Sequence, residues 1–405
     1  MLLAAPCPDA ATDEDTMTTN TTTTEPIRSA ESPSVTIERI EVIPVRVPLA
    51  RRFSGSYYSM DNRVTIVTRV HTSDGVVGES YNGDSDDELL QIVGIIRDEL
   101  TPLVVGTTAT SVEAAWESML PPTYNILRDR ALSMQAIACI DSAIWDAIGK
   151  RLGVPLFQLW GGYRDRLTAI CIGGYYTDHL SEIAGQIDSY RALGFGGCKF
   201  KIGKLSPEDD AVRTRLAREA AGDDFVLMVD ANQGYTRSEA IRFARLTDDL
   251  NLRWFEEPVR WFNDRLSMRD VRLSTGMSVA AGQSESTRAG IRDLIVSGAI
   301  DVCNCDASWI GGPTEWLRMA SIAAAYEVDM AHHEEPQISA HLLAAIPHGT
   351  FLETFDPERD PLFWNIIANR QEFVDGIYRV PRGPGLGLEL DHEYIARYEV
   401  APTTT

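Results

Sequence analysis

The sequence has few cysteines and no block of basic residues. None of the six cysteines belongs to a Cys-x-x-Cys pair; they are Cys7, Cys139, Cys171, Cys198, Cys303 and Cys305. This usage predicts buried free thiols in a reducing cytoplasm rather than a disulfide framework. The formal net charge is −22, and no run of Lys or Arg offsets it. We therefore expect no nucleic-acid partner and no anionic-membrane partner.

Long apolar runs are also missing. No uninterrupted run approaches the ~20 residues of a membrane span. The N-terminus turns acidic at positions 9 and 13–15 instead of carrying the basic region of a signal peptide. Residues 1–34 are rich in threonine and acids, a composition that predicts a disordered tail. The remaining chain, with 44% hydrophobic content overall, is long enough for one large or two ordinary domains with a real core.

Residues 35–160 show strands followed by helices. Alternating apolar runs begin near Val35 and Val64, and the Asp74-Gly75 turn leads into a third run, which predicts a three-stranded meander. Helical patterns follow at 87–100, 111–119 and 131–152. This order is typical of a small α+β domain.

Residues 161–365 alternate between strand and helix. Eight strand-like runs fall between residues 168 and 353, with helical patterns between them. Such alternation predicts a parallel sheet, and eight strands in roughly 200 residues favour a closed TIM-type barrel over an open sheet. Residues 366–405 are expected to return to the first domain.

A polar side chain follows almost every one of these strand-like runs. The residues are Lys199 and Lys201, Asp230, Glu256, Gln283 or Glu285, Asp306, His333 and Glu353. They recur at intervals of roughly 20 to 30 residues, close to the length of one βα unit. Because catalytic groups of such barrels lie at the carboxyl ends of the strands, all of these side chains are predicted to face one mouth.

The residue types predict a chemistry for this mouth. Asp230, Glu256 and a third group at 283–285 supply hard oxygen ligands of the kind that Mg²⁺ prefers. Lys199 and Lys201 point the same way along a strand, and repulsion between them would lower an amine pKa towards that of a useful base. Across the mouth, Asp306 can fix the tautomer of His333. Together these groups suit removal of a proton α to a carboxylate, with the ion stabilising the enolate.

The motifs resemble those of the enolase superfamily, in the mandelate racemase subgroup. They are Ala138-x-x-Asp141-x-x-x-Trp145-Asp146-x-x-Gly149-Lys150, Gly161-Gly162, Lys199-Phe200-Lys201, Asp230-Ala-Asn232, Glu256-Glu257-Pro258, Asp306 before Gly311-Gly312, His333, and Ile338-Ser-Ala-His-Leu-Leu-Ala-Ala before Glu353. The resemblance implies a modified (β/α)7β TIM barrel with an α+β capping domain, and one Mg²⁺ in each active site. It implies Lys201 and His333 as acid/base catalysts, Lys199 and Asn232 as substrate-orienting groups, Asp306 as partner of His333, and Glu353 as electrophilic contact.

Two departures from the family pattern leave questions open. The third metal ligand in the subgroup is usually a Glu directly after the strand-end Gly. Here Gly282 is followed by Gln283, and Glu285 comes two residues later, so both remain candidates. The segment 332–336 is unusually charged. Its extra groups, such as Glu334 and Glu335, could contact distal substrate hydroxyls or be solvated, and of these we expect the second; His332 should point away from His333.

The resemblance favours β-elimination of water from an aldonate or aldarate, with a racemase or epimerase as the alternative and a non-catalytic metal- and acid-binding homologue as a further one. The partner is then a small-molecule carboxylate, and the family implies a homo-oligomer. Residues 48–58 are expected to form the lid that contacts the distal end of the substrate. In that segment Tyr57 and either Arg51 or Arg52 are candidate substrate contacts, with an arginine pairing with a second carboxylate.

Overall fold

The protein was analysed as a computed structural model that describes residues 34–83 and 85–400. The predicted disordered tail and Cys7 lie outside the described residues, apart from position 34. The chain from Val35 onward forms one compact unit. The five cysteines within the described part are free and buried, as their apolar surroundings predict.

The capping region begins with a three-stranded antiparallel meander, which confirms the predicted pattern. Its strands are β1 Ile37–Ser54, β2 Ser59–Thr72 and β3 Val77–Asn82, paired in that order. Gly75 takes φ +86° in the β2–β3 turn, where its N–H donates to Thr72 O at 2.9 Å. A glycine adopts this left-handed backbone without steric cost.

Helices cover one face of this sheet. They are α1 Leu89–Gly94, continuing through a π-helical turn Ile95–Leu100 into α2 Thr101–Val104, then α3 Val112–Ser118, a 3₁₀ turn Pro121–Tyr124, α4 Arg130–Leu152 and α5 Leu156–Leu159. Asp129 caps α4 by accepting from Ala131 N, and Gly153 ends it at φ +67°. By length and composition α4 could cross a membrane, but 83% of its most apolar window is buried inside the protein, where it packs against β2, β3 and a barrel helix.

Eight parallel strands between residues 166 and 355 form the predicted barrel. They are β4 Arg166–Gly173, β5 Gly197–Lys201, β6 Val226–Asp230, β7 Phe255–Glu256, β8 Val279–Ala281, β9 Val302–Cys303, β10 Asp329–Met330 and β11 Leu352–Phe355. Neighbours pair in sequence order from β4 to β10. The barrel closes because β11 pairs with β4 and Met330 bridges to Gly349 just before β11.

One helix follows each of the first seven barrel strands, which gives the (β/α)7β arrangement. These helices are α6 Glu182–Ala192, α7 Pro207–Ala221, α8 Arg237–Leu246, α9 Asp264–Thr275, α10 Arg288–Val296, α11 Pro313–Ala325 and α12 Pro336–Ala345. Local sequence sets their starts: Thr236 and Glu239 form a capping box on α8. The barrel interior below the mouth is filled by apolar side chains such as Met228 and Trp254.

The chain after the barrel packs back on both regions. It contains α13 Pro361–Ile366, β12 Phe373–Val374, β13 Ile377–Arg379 and α14 His392–Tyr398. Strand β13 pairs antiparallel with β4. Val400 N donates to Pro44 O in the capping sheet at 2.9 Å. The C-terminal segment therefore ties the barrel to the cap.

Candidate active site

Parallel register brings the strand-end side chains together. In the sheet, Lys201 is paired with Asp230, and Asp230 is paired with Glu256. His333 follows β10 and Glu353 lies within β11, on the other side of the same mouth. The prediction of a common mouth depends on this register. Lys201, Asp230 and Glu256 lie at the carboxyl ends of their strands, whereas Glu353 is the second residue of β11.

The two lysines form short ion pairs with the buried carboxylates. Lys201 Nζ lies 2.6 Å from Asp230 Oδ2, and Lys199 Nζ lies 2.7 Å from Glu256 Oε1 and 2.6 Å from Glu353 Oε2. Burial lowers the pKa of Lys199, but the charges of Glu256 and Glu353 raise it by more. The pKa of Lys199 is therefore above its ordinary value. The pKa of Lys201 is likewise raised, because Asp230 outweighs burial. The charge of Lys201 does lower the pKa of Lys199, as expected, but the direct contacts of Lys199 with Glu256 and Glu353 outweigh this repulsion.

These ion pairs leave an excess of negative charge at the base of the mouth. Three fully buried carboxylates, those of Asp230, Glu256 and Glu353, face only two ammonium groups, those of Lys199 and Lys201. Burial raises the pKa of Glu353 and of Glu256, in keeping with incomplete compensation. A site with this charge balance suits a divalent cation.

Of the two candidates for the third metal ligand, Gln283 is the one that faces the cavity. Its side chain lines the cavity, and its buried Oε1 has no hydrogen-bond partner among the described residues. Glu285 instead accepts from Arg265 Nη2 at 2.5 Å on the outer side of the loop. Glu285 is not among the residues that line the cavity, whereas Gln283 and Ser284, which follow the turn at Gly282 (φ +145°), are.

The donor set fits a magnesium ion. An orphaned buried oxygen on Gln283 stands with the carboxylates of Asp230 and Glu256, and Mg²⁺ takes oxygen ligands while keeping positions for water and substrate. Among the described residues, no three Asp, Glu, His or Cys side chains are grouped to hold a metal. A set of two carboxylates and one amide agrees with that finding.

Asn232 supports the carboxylate of Asp230. Its backbone N–H donates to Asp230 Oδ1 at 2.8 Å and its Nδ2 donates to Oδ2 at 3.1 Å. Asn232 takes φ +43°, which turns its side chain back toward the strand end. Its Oδ1 is buried without a hydrogen-bond partner among the described residues, and the residue lines the cavity.

The imidazole of His333 lies between two acids. Its Nδ1 is 3.1 Å from Asp306 Oδ2, and its Nε2 is 3.3 Å from Glu334 Oε1. The neighbouring His332 is fully buried, accepts from Ala307 N at 2.9 Å through Nε2, and packs near Trp316 rather than in the cavity. Burial lowers the pKa of His332 to about 4. His332 is thus absent from the described cavity lining that includes His333, although both imidazoles approach Asp306.

Glu334 and Glu335 are not solvated, contrary to expectation. Both are buried, and Arg63 of β2 reaches them: its Nη2 lies 3.2 Å from Glu334 and 3.9 Å from Glu335. Arg63 Nε is also 3.3 Å from Asp360. The expectation is wrong because the charged segment is covered by a cation from the capping sheet, 271 positions away in the case of Glu334.

The three substrate contacts predicted in the lid do not reach the cavity. Arg51 pairs with Glu358 at 3.2 Å, Arg52 pairs with Asp61 at 2.6 Å, and the Tyr57 residue is 77% exposed. A register shift in the β1–β2 hairpin between Pro48 and Phe53 changes which side chains face inward. The assignments of Arg51, Arg52 and Tyr57 are therefore corrected.

The cavity at the mouth has a volume of about 580 Å³, a size suited to a small molecule. The capping region supplies one part of its wall and the barrel loops supply the rest. The lining residues are Tyr58, Ser59, Met60, Asp61, Asn62, Ser85, Asp86, Asp87, Glu88, Lys201, Asn232, Gln233, Glu257, Gln283, Ser284, Trp309, His333, Glu334 and Arg359.

The sequence analysis assigned no function to several of these lining residues. Tyr58 is buried over Lys201, whose Nζ lies 6.0 Å from its ring centroid. Glu257 lies buried beside the proposed ligand Glu256 and accepts from Ser284 Oγ at 2.8 Å. Burial raises the pKa of Glu257 to about 7. Only the Glu256-Glu257-Pro258 motif pointed toward any of these residues.

Sequence comparison identifies the family of both regions. The model described as "Mandelate racemase / muconate lactonizing enzyme, N-terminal domain" matches residues 38–161. The model described as "Enolase C-terminal domain-like" matches residues 182–394. Together they cover the capping sheet and the barrel.

Relatives of known activity and a solved structure agree with these matches. A 3,6-anhydro-alpha-L-galactonate cycloisomerase of Streptomyces coelicolor is 30% identical over 90% of this chain and 99% of its own length. An arabinonate dehydratase of Saccharolobus solfataricus is 30% identical over 82% of this chain and 90% of its own. A mandelate racemase/muconate lactonizing enzyme from a marine actinobacterium, solved in complex with magnesium, is 51% identical with a TM-score of 0.86, covering 91% of this chain and 100% of that chain.

The fold, the strand-end residues and the comparisons lead to one assignment. The chain belongs to the enolase superfamily, in its mandelate racemase/muconate lactonizing enzyme group.

Proposed function

We propose that this protein is a Mg²⁺-dependent hydro-lyase that removes the proton α to the carboxylate of an acid sugar and eliminates water from the neighbouring carbon. The observation that carries the proposal is the single mouth at which Lys201 and the His333–Asp306 pair flank the buried acids Asp230 and Glu256 with the unpartnered amide oxygen of Gln283. The relation to an arabinonate dehydratase supports the choice of water loss.

Asp230, Glu256 and Gln283 are the residues that would hold the ion. When bound, Mg²⁺ supplies positive charge that stabilises the enolate form of the substrate carboxylate. The carboxylate of Asp230 contacts the amine of Lys201 at 2.6 Å. It could not coordinate a metal ion and compensate the charge of Lys201 to the same extent at once. Asp230 is the main cause of the raised pKa of Lys201, so the amine would become able to accept a proton if Asp230 compensated its charge less fully.

The proton transfers are then divided between two nitrogens. Lys201 Nζ takes the proton from the α carbon. His333 Nε2 donates a proton to the hydroxyl on the β carbon, the C–O bond breaks, and water leaves. Asp306 keeps Nδ1 of His333 oriented and stabilises its charged form. The resulting enol converts to a 2-keto acid.

Lys199 and Glu353 are proposed to act on the substrate carboxylate. Glu353 Oε1 is buried with no hydrogen-bond partner among the described residues, and burial raises the pKa of this acid. A protonated Glu353 would donate a hydrogen bond to a carboxylate oxygen as negative charge grows there. Lys199 holds Glu353 in place at 2.6 Å.

A second candidate reaction begins with the same proton abstraction. The relation to a cycloisomerase favours an isomerisation in which no water is lost overall, and racemisation or epimerisation belongs to the same class. In those reactions His333 would return a proton to carbon or act on an internal leaving group.

A library of aldonates and aldarates with Mg²⁺ tests the proposal. Formation of a 2-keto acid from at least one of them, lost in Lys201→Ala, is the expected result. A change in optical rotation without a keto acid would establish isomerisation instead. Absence of reaction with every acid sugar would overturn the proposed activity.

A further inference from the structure

Arg359 is a buried arginine in the cavity wall, in the loop between β11 and α13. Only 1% of the residue is exposed. Its guanidinium stacks on Phe355 at 4.2 Å, its Nε donates to Tyr175 Oη at 3.2 Å, and its Nη2 contacts Met60 Sδ at 2.6 Å. These contacts fix the position of the side chain at the junction of cap and barrel.

The guanidinium of Arg359 has no direct ion-pair partner within the described part of the chain. Among the described residues, no carboxylate lies within ion-pair distance of it, and its Nη1 is buried without a hydrogen-bond partner. Arg63, the other buried arginine near this wall, contacts Glu334, Glu335 and Asp360. A buried guanidinium is unfavourable unless an anion compensates its charge. An anionic group of a ligand in contact with Arg359 would therefore be stabilised.

Several of the other charges around the cavity are already paired, whereas the lining acids Asp87, Glu88 and Glu257 have no ion-pair partner within the part of the chain that the structure describes. Lys201 contacts Asp230. On the capping side, Asp61 is held by Arg52, and Asp86 is held by Arg46. The charge of Glu334 stabilises the charged form of Arg359 and raises its pKa. The carboxylate oxygens of Glu334 themselves contact Arg63 and His333. Arg359 is therefore the lining cation best placed to receive an anion from solution.

We propose that Arg359 determines specificity by binding the distal carboxylate of a dicarboxylic acid sugar, an aldarate, whose reacting end lies at Lys201 and His333. The inference rests on the proposed function and narrows its substrate class. The role that the sequence analysis gave to Arg51 or Arg52 is assigned to Arg359 instead, because among residues 34–83 and 85–400 this is the arginine that lines the cavity. An aldonate ends in a neutral CH₂OH group and leaves the guanidinium without its counter-anion.

Matched substrate pairs test the proposal. Each pair is an aldarate and the aldonate of the same configuration, assayed with Mg²⁺. Wild type should prefer the aldarate by about 10- to 100-fold in kcat/KM, the range expected for one hydrogen bond to a charged group. Arg359→Gln should remove that preference, mainly through KM for the aldarate, and leave the aldonate within about threefold.

Two further variants separate a binding role from a packing role. Arg359→Lys keeps the cation and should keep part of the preference, so it remains informative if the Gln variant folds poorly. Arg51→Gln removes an arginine that forms an exposed ion pair with Glu358 and does not line the described cavity, and it should leave the preference unchanged. An equal loss for both members of a pair in Arg359→Gln, or a wild-type preference for aldonates, would overturn the inference.

Calorimetric titration distinguishes this inference from the proposed function. Aldarates and aldonates that do not react are titrated into Mg²⁺-loaded wild type and Arg359→Gln. Weaker aldarate binding in the variant with unchanged aldonate binding supports Arg359 as the anion receptor, even if no acid sugar is turned over. Turnover of aldonates together with unchanged aldarate binding in the variant would leave the hydro-lyase activity standing and refute the role of Arg359.

Discussion

Lys201 Nζ lies 2.6 Å from Asp230 Oδ2, so the proposed base and a proposed metal ligand are direct partners. This contact couples the protonation of Lys201 to the occupancy of the proposed metal site. While Asp230 compensates Lys201, the amine keeps its proton, because its pKa is raised. Metal binding and base activation are therefore expected to occur together.

The third metal ligand can be tested by changing its charge. Gln283→Glu adds an anion beside Asp230 and Glu256 and should tighten Mg²⁺ binding about tenfold, since affinity of such sites follows ligand charge. Gln283→Leu should weaken binding severely. Isothermal titration with Mg²⁺ measures both without relying on turnover.

Glu285→Gln serves as the matched control for this loop. Glu285 contacts Arg265 on the outer side, so its change should leave Mg²⁺ affinity as in wild type. Tight binding retained in Gln283→Leu but lost in Glu285→Gln would reverse the assignment of the third ligand.

Asp306→Asn tests the orientation of the imidazole. The carboxylate holds His333 Nδ1 at 3.1 Å, and an amide at this position would favour the wrong tautomer. We expect kcat to fall at least about 100-fold with little change in KM, by analogy with other His–Asp pairs. Steady-state kinetics on the substrate found in the library provides the measurement. A variant with near-normal kcat would show that Asp306 has only a structural role.

The Arg63 cluster should contribute strongly to the stability of the cap on the barrel. Replacing Arg63 by Leu leaves Glu334, Glu335 and Asp360 buried without this cation, which is expected to cost about 3–5 kcal/mol. Denaturant unfolding checks the loss. Arg52→Leu breaks an exposed pair with Asp61 and should unfold like wild type; equal losses in the two variants would contradict the account.

The positions of the strand-end residues followed from the sequence because one parallel strand recurs in each βα unit and its carboxyl end is fixed in space. The residues that the sequence missed depend on pairing between distant segments. Arg51, Arg52 and Tyr57 were misassigned because the irregular register of the β1–β2 hairpin is not visible in an alternating pattern. The burial of Glu334 depends on Arg63, and no local pattern marks that partnership.

Asp141 provides a pH test of the junction between α4 and α11. It accepts from Thr314 N at 2.9 Å, and burial raises its pKa from 3.8 to about 7 although the hydrogen bonds from Thr314 oppose this. An acid with a raised pKa in the folded state stabilises the fold fully below pH ~4 and loses that contribution as the pH rises through ~7.

Unfolding of wild type and Asp141→Asn between pH 5 and pH 8 therefore should differ in slope. The wild type loses on the order of a few kcal/mol more than the variant over this range, because the neutral amide has no proton to release. A parallel pH dependence of the two proteins would show that Asp141 does not titrate in this window.

The most direct test of the central claim is exchange of the substrate α proton in deuterated water, followed by proton NMR with the aldarates and aldonates of the library. The account predicts Mg²⁺-dependent loss of the α-proton signal in wild type, abolished in Lys201→Ala and by chelation of the metal. Exchange that persists in Lys201→Ala without metal, or no exchange with any acid sugar, would contradict it.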